Sequence, residues 1–139
     1  MYQKLFLHLL ELSAAHTKCR YEIFRNLNFS DGHPKILYIL RSKDGLLQKE
    51  LAEICKVTPP TMTNLLSKMG KNDLIYREKV HVSGGKRGFR IHLTEAGKKK
   101  ADIVYNEFEI LEKRCLQNFS DEEISQLFSL MERVTQNLS

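Results

Sequence analysis

Short polar side chains in the middle of the chain alternate with apolar ones at helical spacing. Residues 58–71 carry Thr61, Thr63, Asn64 and Lys68 opposite a face of methionine and leucine. An asparagine amide can pair with adenine, and a threonine methyl group can contact the methyl group of thymine. Ordinary exposed polar residues are the alternative for any one of them, but the set favours a helix that reads base edges.

A glycine-rich segment further along the chain carries a group of cations. Lys86 and Arg87 stand between Gly85 and Gly88, and Arg90 comes two residues later. Arginine at a flexible tip suits the minor groove, where narrow A·T tracts concentrate negative potential. Lysines that only protect an edge strand are the alternative, and they explain the glycines less well.

The distribution of charge supports these two groups. The whole chain carries +5, but Lys56–Lys100 holds 11 basic and 3 acidic residues, a balance of +8, and the rest of the chain has a balance of −3. Residues 98–100 are three lysines that either contact phosphates or form a solvated face. The candidate DNA-binding residues are Pro60, Thr61, Thr63, Asn64, Ser67, Lys68, Lys86, Arg87 and Arg90.

Catalytic patterns are not found. The run Ser83–Lys86 lacks the spacing of a phosphate-binding loop, and Asp121–Glu123 is better explained as a helix start than as paired catalytic acids. No nucleophile has an evident base, so we expect neither an enzyme nor a cofactor.

The three cysteines are widely spaced and odd in number, which argues for a reducing cytoplasm and against disulfides or structural zinc. Cys19 lies between two cations, so a redox sensor is one interpretation, but its place on an apolar stripe favours an inert, buried thiol. We expect Cys55 and Cys115 in the core. His16 and Cys19 have a spacing that permits metal binding, yet no further ligand can be named.

The elements that must position these residues follow from length and periodicity. A chain of 139 residues with 42% hydrophobic and 28% charged residues suits one domain over residues 1–139. Its apolar runs are too short for a bilayer, and His8 and Glu11 interrupt the only run that resembles a signal peptide, so we expect a cytoplasmic protein. The pattern predicts helices over 2–27, 34–42, 47–55 and 58–71, a turn over 28–32, a hairpin over 75–93, and helices capped by Thr94 and Ser120.

Two consecutive helices joined by a short turn and followed at once by a hairpin define a winged helix-turn-helix. The predicted fold is therefore mainly α with a small β-hairpin wing. The basic segment coincides with the second helix of the pair and the wing. This coincidence indicates DNA binding.

Residues 47–97 resemble the MarR-type winged-helix regulators of bacteria. The resemblance rests on Leu51-Ala52, on Thr61-Met62-Thr63-Asn64-Leu65-Leu66, and on Asp73-Leu74-Ile75-Tyr76-Arg77 entering the wing. Arg87 then precedes Leu93-Thr94-Glu95-Ala96-Gly97, which is similar to that family's junction between wing and helix.

The resemblance implies a homodimer that binds a pseudo-palindromic operator and is released by a small ligand, an oxidant or another signal. The helices within 1–28 and 95–139 would form the dimerisation region, and 33–94 the winged helix. Thr61, Thr63, Asn64 and Lys68 would face the major groove, and Arg87 would be the wing arginine.

Two positions depart from the family pattern. Gly85 stands where the family usually has an aspartate two residues before the arginine. Asp73 replaces the usual glycine before the wing, and aspartate tolerates the left-handed conformation at some cost. We expect a DNA-binding repressor; a winged-helix module that binds proteins without DNA is the alternative.

Overall fold

The computed structural model describes residues 3–27 and 33–139. The turn expected at residues 28–32, and residue 2 of the first predicted helix, lie outside these ranges. The elements in the described ranges are α1 (Leu5–Arg25), α2 (His33–Ser42), β1 (Leu46–Leu47), α3 (Gln48–Cys55), α4 (Pro59–Lys71), β2 (Ile75–Val82), β3 (Lys86–Leu93), α5 (Glu95–Cys115) and α6 (Asp121–Asn137).

The turn between α3 and α4 follows from its own residues. Lys56 ends α3 in the left-handed conformation, with φ of 56°. Thr58 then caps α4, because its side-chain oxygen accepts a hydrogen bond from the Thr61 backbone N–H at 3.4 Å. Pro59 is the first helical residue, where its missing N–H has no intrahelical partner to lose. The predicted helix-turn-helix is confirmed.

The wing is a regular antiparallel hairpin in which β2 pairs with β3 from Ile75↔Leu93 to Val82↔Lys86. The second strand begins at Lys86. The predicted helix over 47–55 begins at Gln48, because Leu46 and Leu47 instead form a short strand on the other edge of β3. The three-stranded sheet has the order β1-β3-β2.

The junction between the wing and α5 is tightly hydrogen-bonded. Asp73 adopts a left-handed conformation with φ of 59°, as its position in the family pattern predicts. The Thr94 hydroxyl donates to the Asp73 carbonyl and accepts from the Gly97 N–H at 2.9 Å. Thr94 therefore caps α5 as expected.

Aromatic and charged side chains attach the first half of α5 to α2. The rings of Tyr38 and Tyr105 are stacked with centroids 5.8 Å apart. The Arg41 guanidinium lies 3.9 Å from the centre of the Tyr105 ring and contacts the Asp102 carboxylate at 2.9 Å. These contacts fix α5 against the winged helix.

The core of the winged helix consists of large apolar side chains that are fully excluded from water. They come from α2, α3, α4, β3 and α5, so that one core holds both the helix pair and the wing. Its fully buried members are Ile36, Leu37, Leu40, Leu51, Met62, Leu66, Met69, Ile91 and Val104.

The chain divides into two compact units. The first ends at Glu107, and the second begins at Phe108. In the second unit, the Ser120 side chain accepts from the Glu123 N–H and the Glu123 carboxylate accepts from the Ser120 N–H, which confirms the predicted capping box. No helix of residues 3–27 and 33–139 is long and apolar enough to cross a membrane.

Two cysteines that the sequence places on a buried face or stripe are less buried than expected. Cys115 is exposed, not in the core as predicted. Cys19 is half-buried. Periodicity locates an apolar face correctly but does not show how much of the face another element covers.

Candidate nucleic-acid interface

The exposed face of α4 carries the polar residues that the sequence pattern singles out. Met62, Leu66 and Met69 are buried on the opposite face, and this burial fixes the rotation of the helix. Ser67 is half-buried. The exposed candidates on this helix are Pro60, Thr61, Thr63, Asn64 and Lys68.

Hydrogen bonds at the start of α4 hold two threonine side chains in place. The Thr61 hydroxyl accepts from the Thr58 hydroxyl at 2.9 Å. The Thr63 hydroxyl donates to the Pro59 carbonyl at 3.0 Å and accepts from the Gln48 side-chain amide at 3.1 Å. These bonds restrict the side chains of two candidate residues, Thr61 and Thr63, on the exposed face of α4.

The tip of the wing is open and glycine-dependent. Gly84 and Gly85 have φ of 81° and 74°, a region that favours glycine, and a Cβ on either one would contact nothing within 4 Å. Lys86 and Arg87 follow directly and are exposed. The tip can thus present two cations to a narrow groove without steric obstruction.

A cleft of about 970 Å³ lies between the helix pair and the wing. Thr63 of α4 and Lys86 and Arg87 of the wing all line it, whereas the other candidate residues do not. The structure therefore places one candidate side chain of α4 and both tip cations on a single concave surface.

Arg90 has a partner within the protein. Its guanidinium donates to the Gly45 carbonyl at 3.0 Å, and this bond connects β3 to the loop before β1. In the register of the hairpin, Arg90 also lies opposite Glu78 on the neighbouring strand. We therefore assign Arg90 a structural contribution in addition to any contact with phosphate.

Of the cleft-lining residues outside the candidate set, two make hydrogen bonds to Thr63. Gln48 contacts Thr63 as described above, and the Arg77 guanidinium donates to the Thr63 carbonyl at 3.4 Å while lying 6.0 Å from the centre of the Phe89 ring. The sequence contains no local sign of these contacts, because each joins residues from different elements.

The first residue of α2 is a buried histidine. His33 is 3% exposed, and its Nε2 atom has no hydrogen-bond partner among the residues that the structure describes. Burial lowers the pKa of His33, and the charges of Lys68 and Lys100 lower it further. Both effects favour the neutral form of the imidazole over its protonated form.

Cys55 is not an activated thiol, and the metal interpretation gains no support from the geometry. Burial raises the pKa of the Cys55 thiol, and the Lys35 cation opposes this rise only in part. Among the described residues, no group of three or more histidine, cysteine, aspartate or glutamate side chains is arranged to hold a metal ion.

The helix pair α3–α4, the hairpin β2–β3 and the cleft between them define a winged helix-turn-helix. The model of the MarR family matches residues 29–83, which include the helix pair and the first strand of the wing. An uncharacterized HTH-type transcriptional regulator of Bacillus subtilis (strain 168), YybA, is 27% identical over 115 residues, which cover 83% of this chain and 75% of the relative.

Solved structures extend the similarity of fold beyond that segment. The transcriptional regulator SlyA is 26% identical, with a TM-score of 0.79 over 97% of this chain and 94% of that one. MepR of S. aureus, in complex with DNA, is 23% identical, with a TM-score of 0.82 over 100% of both chains. A MarR-family regulator of Listeria monocytogenes, complexed with 26mer DNA, is 23% identical with a TM-score of 0.81, covering 99% and 90%.

Proposed function

We propose that this protein is a homodimeric, sequence-specific DNA-binding transcriptional repressor that a small ligand or other signal releases from a pseudo-palindromic operator. The observation that carries this proposal is the cleft shared by Thr63 of α4 and by Lys86 and Arg87 of the wing. Duplex DNA requires groups that read base edges beside groups that neutralise phosphates. This surface offers both.

The two parts of the surface suit different grooves. Helix α4 enters the major groove, where Thr61, Thr63 and Asn64 contact base edges and Lys68 contacts phosphate. Lys86 and Arg87 at the open tip reach the adjacent minor groove. MepR and the Listeria regulator, which have a similar fold, were solved in complex with DNA, and this supports DNA as the partner.

The dimer is supported by apolar side chains that a single chain leaves in water. On α1, Leu5, Phe6, Leu9, Leu10 and Leu12 are each 50% to 63% exposed. Five large apolar residues within eight positions of one helix are typical of a surface that a partner covers. A second copy of the chain is the proposed partner.

The second compact unit also exposes large apolar side chains. Phe128, Leu130 and Met131 of α6 are 47% to 53% exposed. We propose that these residues and those of α1 form the dimerisation region within 1–28 and 95–139. Two copies of α4 then contact half-sites centred about 34–36 Å apart, and an effector releases DNA by changing this separation.

Selection from a random library of duplexes tests the proposal directly. The purified protein should enrich a sequence with approximate two-fold symmetry and a half-site spacing of about 10 base pairs. Affinity for the selected duplex should fall steeply with salt, with a log–log slope of about −0.9 for each phosphate contacted.

The alternative function makes the opposite prediction. A winged-helix module that binds only proteins should enrich no sequence and should not bind duplex DNA even at low salt. Such a result would contradict the proposed DNA binding. A monomeric mass, measured by light scattering at micromolar protein concentration, would contradict the mechanism that requires a dimer.

A further inference from the structure

Thr63 has little hydrogen-bonding capacity left for DNA. A hydroxyl has one hydrogen to donate and two lone pairs to accept. The Thr63 hydroxyl donates its hydrogen to the Pro59 carbonyl and accepts one bond from the Gln48 amide. The side chain is nevertheless exposed, and its other terminal group is the γ-methyl.

These two bonds also restrict the side chain to one rotamer. Threonine in a helix divides between two rotamers because its hydroxyl can bond a carbonyl one turn earlier. The bond to Pro59 is of this kind, and the bond from Gln48 on α3 stabilises the same orientation from a second helix. The γ-methyl of Thr63 is thus held in a fixed position.

Thr61, two residues earlier on the same helix, has the opposite capacity. Its hydroxyl accepts a bond from the Thr58 hydroxyl and keeps its own hydrogen available to donate. A phosphate oxygen or an acceptor on a base edge can take that hydrogen. The two threonines therefore differ in chemistry although they are the same residue type on one exposed face.

We propose that Thr63 determines specificity by contacting the C5-methyl group of a thymine in the major groove through its own γ-methyl, without a hydrogen bond. The inference rests on the proposed DNA-binding function, and it assigns to Thr63 one base feature. In the major groove only thymine among the four bases presents a methyl group.

The test uses the duplex that the wild-type protein selects from a random library. Each thymine of one half-site is replaced in turn by deoxyuridine, which removes only the C5-methyl group, and affinity is measured by fluorescence anisotropy. At one position the wild type should lose about fourfold, the value expected for one buried methyl group. Thr63→Val keeps a γ-methyl and should retain this loss, whereas Thr63→Ser lacks the methyl and should bind both duplexes equally.

Thr135→Ser is the matched control. It removes a methyl group from an exposed threonine of α6 whose hydroxyl also donates to a carbonyl one turn earlier, and it should discriminate as the wild type does. Melting temperatures of all variants separate a folding defect from a change in recognition. The proposal is overturned if no thymine replacement affects the wild type or if Thr63→Ser still discriminates between the two duplexes. It is also overturned if Thr63→Val or Thr135→Ser no longer discriminates. Failure of the wild type to select any sequence would instead contradict the DNA-binding function itself.

Discussion

The carbonyl group of Leu74 occupies the space that a side chain on Gly97 would need. The same carbonyl oxygen accepts a hydrogen bond from the Thr94 backbone N–H at 3.1 Å. The Gly97 N–H in turn donates to the Thr94 side chain. This close approach sets the distance between the start of the wing and the first turn of α5.

Gly97→Ala should therefore destabilise the protein by about 3 kcal/mol, the upper end of the usual cost of overpacking, because the obstructing atoms belong to the backbone. Urea unfolding followed by circular dichroism measures this cost. Gly70→Ala is the control: its Cβ would lie 3.8 Å from the Ile75 side chain, an ordinary contact, so the variant should be neutral or slightly more stable. Equal stability of the two variants would contradict the packing described at Gly97.

Arg87→Ala should weaken DNA binding without altering the fold. Arg87 is exposed at the open tip of the wing, so its loss removes a cation but no internal contact that holds the hairpin. The slope of log affinity against log salt concentration should become shallower, by the equivalent of about one phosphate contact for each wing. Lys79→Ala, an exposed cation further along β2, is the matched control and should change the slope less. If the two variants behave alike, the tip has no special contribution and the wing assignment is wrong.

Asn64→Ala should reduce base preference more than overall affinity. An asparagine that pairs with adenine contributes about 1–3 kcal/mol of discrimination against the wrong base. Repeating the library selection with the variant should give a sequence that is degenerate at one position in each half-site. Asn106→Ala, an exposed asparagine on α5, should select the wild-type sequence. An unchanged selection by Asn64→Ala would place base readout elsewhere on α4.

Leu9→Glu should convert the dimer into monomers. Leu9 is 50% exposed near the middle of the apolar stretch of α1, and a carboxylate there would be buried without a partner in a dimer. Light scattering should give half the wild-type mass, and affinity for the selected duplex should fall. Ser13→Glu adds the same charge at an exposed polar position one turn later and should leave the mass unchanged. A dimeric Leu9→Glu variant would exclude this part of α1 from the interface.

Features set by neighbouring residues could be predicted from the sequence. The Thr58 cap, the proline that begins α4, the left-handed Asp73 and the hairpin over 75–93 each depend on residues close together in the chain. Five of the six sequence-based candidates on α4 are exposed for the same reason, since the spacing of the buried methionines and leucine fixes the opposite face.

Features set by contacts between distant residues could not be predicted from the sequence. Strand β1 exists only because Leu46 and Leu47 pair with Ile91 and Arg90, more than 40 residues away. The bond from Gln48 to Thr63 likewise joins two helices, and it changes what Thr63 can offer a base. Neither contact leaves a periodic or compositional trace in the sequence.

The buried imidazole of His33 should make stability depend on pH. Burial, with Lys68 and Lys100 nearby, holds the pKa of His33 in the folded protein below its ordinary value of 6.5. Between the folded pKa and 6.5 the unfolded chain binds more protons than the folded one, so stability falls as the pH falls through this window. Above 6.5 the group contributes no pH dependence, and below the folded pKa its effect levels off.

Urea unfolding of the wild type and of His33→Gln between pH 5 and 8 checks this expectation. The unfolding equilibrium constant of the wild type should rise, relative to that of the variant, by at most about tenfold per pH unit below 6.5, the limit for one proton. His81→Gln is the matched control, because it removes an exposed histidine of the wing and no buried imidazole. Parallel pH profiles for the wild type and His33→Gln would show that the folded protein accepts a proton on His33 without cost.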